Sequence, residues 1–154
     1  MGGAKVKDKL PVITVLAKNA DAVLVGGKLV AEINEQKTEL PNNVLVAKLN
    51  DDGFDIASET TASWQELIKK AAMIVWNGPL GKFEDPKYDQ TKELAEAILD
   101  SGAEIIIGGG DSVAALGQYR LLDKAQQKAF VSVGGDAMLK LISTGTLLTI
   151  EALS

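Results

Sequence analysis

The stretch Met73-Ile74-Val75-Trp76-Asn77-Gly78-Pro79-Leu80-Gly81-Lys82-Phe83-Glu84 decides how this chain is read. An apolar run stops abruptly in Asn77-Gly78-Pro79 and leaves polar groups behind it. Met73 to Trp76 is too short for a helix of its own and too apolar for a surface strand, so it suits a parallel strand covered on both faces. The polar loop after it then lies at the strand's carboxyl end, where open α/β sheets hold their ligands.

Three other stretches repeat the pattern: Asp21-Ala-Val-Leu-Val-Gly-Gly27, Glu104-Ile-Ile-Ile-Gly-Gly-Gly-Asp111 and Ala129-Phe-Val-Ser-Val-Gly-Gly-Asp136. Each is an apolar run ending in glycines, which let a backbone come close to a bulky anion. Four such strand ends predict an α/β fold with a mostly parallel sheet and one shared site. The run Gly108-Gly-Gly-Asp-Ser112 is the most informative, because a helix opening there presents free amides and a partial positive charge.

Composition narrows the chemistry. The 154 residues make one domain with room for a real core, and no apolar run approaches the roughly 20 residues that span a bilayer. Met1-Gly-Gly-Ala-Lys5 lacks the apolar segment of a secretory signal, so a cytoplasmic location is expected. Cysteine and histidine are both absent, which excludes disulfides, thiolate catalysis, imidazole bases and the usual zinc ligands. A net charge of −5 argues against a nucleic-acid surface. An anionic ligand has to be met by local lysines or helix N-termini.

Along the chain, Gly2-Gly3 followed by Lys5, Lys7 and Lys9 looks like the end of a βα turn whose strand is missing. Leu10, Val12, Ile13, Val15 and Leu16 continue it with helical spacing. Lys5 and Lys9 stand one helical turn apart, which suits a phosphate chain; a frayed, solvated terminus is the competing reading. Gly26-Gly27-Lys28 turns into a helix over Leu29–Ile33, residues 34–43 read as a loop, and Val44 to Leu49 is a short apolar run closed by a turn at Asn50–Gly53. Phe54 to Thr61 reads as irregular, with a capping box of Ser63 and Glu66 starting a helix whose face is Trp64, Leu67, Ile68 and Ala71. A further helix starts at Thr91 with Leu94, Ala95, Ile98 and Leu99 inward, and Gln126 to Lys128 reads as surface. Gly134-Gly-Asp-Ala137 is expected to open a helix through Ile142, and Leu147 to Leu153 is a last apolar run. Asp111 serves equally as a helix N-cap or, beside a phosphate site, as a Mg²⁺ ligand.

The motifs Gly2-Gly-Ala-Lys-Val-Lys-Asp-Lys9, Val75-Trp-Asn-Gly-Pro-Leu-Gly-Lys-Phe-Glu84 and Ile107-Gly-Gly-Gly-Asp-Ser-Val-Ala-Ala115 resemble, in order, the C-terminal, nucleotide-binding lobe of the phosphoglycerate kinase family. Asp21–Gly27 and Ile150-Glu-Ala-Leu153 fall in line with it. The resemblance implies one domain over 1–154, a Rossmann-like three-layer architecture lacking its first strand, and no N-terminal substrate lobe. It implies phosphoryl transfer between ATP/ADP and 3-phosphoglycerate/1,3-bisphosphoglycerate in glycolysis, with Mg²⁺ as the ion. By position, Lys5 resembles the lysine on the transferring phosphoryl group and Lys9 the one on the α-phosphate. Glu84 matches the ribose-binding glutamate, with Asn77 and Pro79 near the phosphates and nucleoside. Gly109, Gly110, Asp111 and Ser112 match the phosphate and magnesium turn, with Asp111 on the metal. Gly134 and Gly135 match the helix start beneath the phosphates, and Gly26 and Gly27 the adenine-side turn. Transfer to an already ionised carboxylate requires no general base, so missing histidine is no obstacle.

Departures from the family pattern cluster on glycines. Lys28 stands where a third glycine is expected, Asp136 closes what the family writes as Ser-Thr-Gly-Gly-Gly, Ala57-Ser58 replaces Gly-Pro, no glycine precedes Thr91, and the segment from 34 to 53 is shorter. Arg120 is the only arginine, so no clamp for a substrate phosphate is present and the chain by itself is not expected to turn over. Three roles follow: the Mg-nucleotide half of such a kinase, a nucleotide-binding or structural remnant of it, or one half of a split enzyme. In the last, a partner chain supplies 3-phosphoglycerate binding and the strand missing from an open sheet edge.

Overall fold

The computed structural model describes residues 1–3, 6–135 and 139, with the backbone alone at 6–8. Among the described residues, five short strands alternate with helices. These are α1 (Val6–Leu16), β1 (Val23–Val25), α2 (Lys28–Gln36), β2 (Val44–Val46), α3 (Ser58–Ile68), β3 (Met73–Asn77), α4 (Gln90–Asp100), β4 (Glu104–Gly108), α5 (Gly110–Gln118), α6 (Leu122–Lys128) and β5 (Ala129–Ser132). Every strand pair is parallel, as expected of apolar runs joined by helical crossovers.

Two buried clusters cover the strands. One gathers Trp64 and Ile68 of α3, Leu94, Ala95, Ile98 and Leu99 of α4, Leu116 of α5 and Ala125 of α6 around Trp76, Ile105 and Ile107. The other gathers Ile13 of α1 with Leu29 and Ile33 of α2 around Val23, Val25 and Val44, and Val75 and Ile106 pack against it. Neighbouring residues of one strand thus enter different clusters, as the alternation of side chains along a strand requires. The result is a three-layer α/β fold of Rossmann-like type.

The sheet itself is interrupted. β1 pairs with β2, and β3, β4 and β5 pair in that order, but among the described residues no strand joins β1 to β3. Residues 1–3 stitch the gap at one end: the Met1 nitrogen donates to Leu24 O, Gly26 N–H to Met1 O, Gly2 N–H to Asn77 O and Gly3 N–H to Pro79 O. Met1 and Gly2 are accordingly buried, which overturns the frayed, solvated terminus for those two residues.

Three local expectations are also corrected. Helix α3 begins at Ser58 on an Ala57 N-cap, so Phe54 to Thr61 is not irregular throughout and Ser63 and Glu66 form no capping box. The hydroxyl of Thr60 accepts from Lys48 N–H, and Thr61 is buried, so tertiary contacts recruit this turn into the helix. Leu67 is exposed rather than on the inward face. Gln126, Gln127 and Lys128 are exposed, as expected, and form the end of α6, which buried Ala125 anchors. Helix α2 runs on to Gln36 and closes on Lys37 in the left-handed conformation, which shortens the expected loop.

Candidate functional site

The ends of β3 and β4 meet Gly135 at one side chain, Asn77, and the Gly2-Gly3 turn and Gly27 at the end of β1 pack on Pro79 beside it. The buried Asn77 amide donates through Nδ2 to Gly108 O at 2.9 Å and accepts through Oδ1 from Lys9 Nζ at 3.1 Å. Lys9 Nζ also donates to Gly2 O at 2.5 Å. The lysine therefore closes the Gly2-Gly3 turn onto the end of β3. Burial, with the Lys9 ammonium beside it, pushes the Met1 amino group down to about 5.

Two glycines are fixed by geometry. Gly109 has φ of 101°, a conformation that L side chains rarely adopt, and a Cβ there would lie 3.2 Å from Asn77 Nδ2. A Cβ on Gly135 would lie 2.7 Å from Gly109 Cα and 2.9 Å from Asn77 Nδ2. Gly27 faces Pro79 O and Gly3, and Gly26 is packed on Leu80 and Ile56. These turns touch each other directly.

Helix α5 opens over this junction. Its N-cap is Gly109 with no side-chain cap, so Asp111 lies inside the first turn and the N-cap reading of that residue is corrected. The first N–H groups of a helix have no intrahelical partner, and here they carry the positive end of the helix dipole toward the glycines. Asp111 is exposed, and among the described residues no group of three metal-ligating side chains forms. A single carboxylate of this kind suits Mg²⁺ only together with phosphate oxygens.

Ser112 has a different task from its neighbour. Its fully buried hydroxyl accepts from Gly78 N–H at 2.7 Å and donates to Gly108 O at 2.9 Å, tying α5 to the β3 loop. Pro79 contributes its carbonyl to Gly3, and Leu80 N–H reaches the hydroxyl of buried Thr91 at 3.0 Å.

Glu84 stands apart. It is exposed, on a loop held by Gln118 Nε2 donating to Phe83 O, and no hydrogen bond joins it to the glycines among the described residues. Lys5 and Asp136 lie outside the described residues, as does Ile150–Leu153.

Asp55 was not foreseen. This buried carboxylate accepts from Ile56 N–H at 2.9 Å and Gln90 N–H at 3.1 Å, and burial holds it above the usual carboxylate range. It pins the start of α4 to the loop before α3 and lies against Gly81. Burial, reinforced by the Asp55 charge, also pushes the Tyr119 hydroxyl up to about 12. A sequence signal existed in Asp55 preceding an apolar Ile56, but a lone aspartate in a loop is usually solvated.

The family model described as phosphoglycerate kinase matches residues 29–145. The chain belongs to the phosphoglycerate kinase family. It is 34% identical over 206 residues to the phosphoglycerate kinase of Mycoplasmoides gallisepticum, covering 99% of this chain and 49% of that protein. It is likewise 34% identical over 200 residues to that of Rhodopirellula baltica, covering 99% of this chain and 50% of the relative. Among solved structures, phosphoglycerate kinase from Coxiella burnetii superposes with a TM-score of 0.74 at 27% identity, over 92% of this chain and 48% of that one. Phosphoglycerate kinase from Pyrococcus horikoshii gives 0.75 at 25% identity, over 93% and 48%. The chain spans about half the length of the phosphoglycerate kinases it matches.

Proposed function

We propose that this chain is the Mg-nucleotide half of a phosphoglycerate kinase, binding ATP or ADP at the glycine junction beneath the N-terminus of α5. The observation that carries the reading is that Gly109 and Gly135 pack on Asn77 while Gly2-Gly3 and Gly27 pack on Pro79 beside it, with Lys9 bonded to the Asn77 side chain and the uncapped turn of α5 above it. Backbone that lacks side chains, an ammonium and a helix dipole are what a polyphosphate needs from a protein without histidine and with one arginine.

In this reading Lys9, Gly109, Gly110 and Asp111 face the phosphates, and Asp111 shares Mg²⁺ with phosphate oxygens. Mg²⁺, when bound, neutralises charge on the transferring phosphoryl group. By its position in the motif, four residues before Lys9, Lys5 would act on that phosphoryl group. Gly26 and Gly27 take the adenine side, Glu84 the ribose, and Gly134 and Gly135 the floor. Ser112 and Asn77 act chiefly through the backbone they hold. 3-Phosphoglycerate binds only when a second lobe is supplied, so phosphoryl transfer belongs to the assembled protein, in the cytoplasm.

A second reading, a structural remnant without ligand, is favoured by one observation. Lys9 is bonded to Gly2 and Asn77, and the turns pack on each other, so a phosphate has to displace contacts already made. Thermal unfolding with and without millimolar Mg-ADP separates the two. A ligand at 100 times its Kd adds about 2.7 kcal/mol, or roughly 5–10 °C for a domain of this size. The rise is expected in the wild type and in Glu35→Ala, and not in Asp111→Ala. A wild-type transition that ignores Mg-ADP would leave the remnant as the answer.

A further inference from the structure

The loop after β3 is held at each of four successive residues. Leu80 N–H donates to Thr91 Oγ1 at 3.0 Å, and Gly81 lies against Asp55, where any Cβ would overlap the carboxylate. Lys82 N–H donates to Phe54 O at 2.8 Å, and Gln118 Nε2 donates to Phe83 O at 2.8 Å. Glu84 comes next and is exposed, with its carboxylate directed by the backbone it stands on.

The fixed point of this arrangement is the start of α4. Its N-cap residue, Asp89, gives no side-chain cap, so the first amides of the helix need acceptors from elsewhere. Gln90 N–H finds Asp55 Oδ2 at 3.1 Å, while Ile56 N–H occupies Asp55 Oδ1 at 2.9 Å. Asp55 is thus a cap supplied from the loop before α3, at the helix end where the dipole favours a carboxylate. Because that carboxylate fills the space beside Gly81, it sets where the backbone passes at Gly81. Asp52 does the same farther on, accepting from Lys87 Nζ at 2.8 Å and Tyr88 Oη–H at 2.9 Å. Glu84 therefore stands in a loop clamped at both ends by residues 52–55.

The near end of the loop is Pro79, whose carbonyl accepts from Gly3 N–H at 2.8 Å and faces Gly27. Every residue between the glycine junction and Glu84 is thus anchored. Helix α5 joins the two regions: its N-terminus lies over the junction, and Gln118 at its other end holds Phe83. A carboxylate on a loop fixed in advance loses less freedom when it meets a ligand, so its hydrogen bonds are retained as affinity.

Resting on the nucleotide reading above, we infer that Asp55 and Gln118 are positioning residues for the ribose, holding Gly81 and Phe83 so that Glu84 accepts from the ribose hydroxyls of a nucleotide phosphate-bound at the glycine junction. Neither residue touches the ligand. What they set is the preference for a nucleotide that carries ribose hydroxyls, because an O–H donor on a carboxylate makes a charge-assisted bond that depends on close placement. The phosphates are held elsewhere, so their share of the affinity is independent of both residues.

The test is calorimetric titration of the folded full chain with Mg-ADP and with Mg-dideoxy-ADP, which lacks both ribose hydroxyls. A hydrogen bond to a charged group is worth about tenfold in affinity, and the wild type should favour Mg-ADP by that factor. Asp55→Ala and Gln118→Ala should each weaken Mg-ADP to the level of the analogue and leave the analogue unchanged, as should Glu84→Ala. A merely structural role would weaken both ligands together. Gln118 is exposed, so its variant remains readable if Asp55→Ala does not fold, and Asp55→Asn, which keeps one acceptor, should restore part of the preference. Equal weakening of both ligands, or an undiminished preference in either folded alanine variant, would overturn the inference. A wild type that binds both ligands equally would overturn it while leaving the nucleotide reading in place. A wild type that binds neither would overturn that reading, and this inference with it.

Discussion

Replacing Ser112 with alanine is expected to separate the mechanical from the ligand-facing residues of the α5 turn. The serine hydroxyl is fully buried and is the partner of Gly78 N–H at 2.7 Å. Alanine fits the same space and leaves that amide without an acceptor. Gly108 O loses one donor but keeps Asn77 Nδ2 at 2.9 Å, so it is not orphaned. The cost is then the penalty of one buried unsatisfied amide, about 1–3 kcal/mol. A gain of a few tenths, up to about 0.5 kcal/mol, from alanine's helix propensity offsets it slightly. For a domain of this length, a net loss of about 2 kcal/mol lowers Tm by roughly 4–8 °C. Urea unfolding followed by the fluorescence of buried Trp64 and Trp76 measures it directly, with the slope on denaturant unchanged. Asp111→Ala, one residue away and exposed, removes only a first-turn carboxylate, worth about 0.3–1 kcal/mol, but should abolish the Mg-ADP effect. The reasoning is refuted if Ser112→Ala costs under about 0.5 kcal/mol while itself abolishing the nucleotide response, because the hydroxyl would then serve the ligand.

Other outcomes are equally definite. Gly135→Ala places a methyl 2.7 Å from Gly109 Cα, where backbone has to move, so a loss of about 1–3 kcal/mol in urea unfolding is expected; a change within about 0.5 kcal/mol would show that the two turns do not pack. Asp55 is held above its ordinary range, so its favourable contribution is complete below about pH 4 and is lost as pH climbs through the raised folded value. The stability difference between wild type and Asp55→Asn should therefore shift against the wild type between pH 4 and 7, and a difference flat with pH would refute the buried assignment. Asp52 has the opposite sign. Its hydrogen bond from Lys87 holds the carboxyl at about 2, so its contribution is present above about pH 4 and disappears as pH falls toward that value. Asp52→Asn should match the wild type at pH 2 and fall behind it at neutral pH, if only slightly, since the pair is exposed; a difference that grows on acidification would contradict the Lys87 pairing.

The family, the parallel α/β order and the strands β1, β3, β4 and β5 were legible in the sequence. Those strands are short apolar runs ended by glycine, and both signals are local: a run of Ile or Val favours extended backbone wherever it sits, and Gly109 is required by its own φ of 101°. Among the described residues the sheet is interrupted between β1 and β3. The start of α3, the existence of α6 and the burial of Asp55 were not legible. Each depends on a partner distant in sequence, such as Lys48 N–H for Thr60 or Gln90 N–H for Asp55.

The candidate site divides along the same line. Spacing and the glycine turn nominated Lys9 and Asp111, and the resemblance of the motifs to the family nominated Asn77, Gly109 and Ser112 beside them. Their tasks are set by which groups the fold brings within hydrogen-bond reach. Packing turns Ser112 inward onto Gly78 and leaves Asp111, its neighbour, in solvent. It closes Lys9 onto Asn77 across 68 residues of chain. A sequence specifies donors, acceptors and apolar runs, but which donor meets which acceptor is decided only when distant segments share one buried volume, where an unpaired amide is too costly to leave.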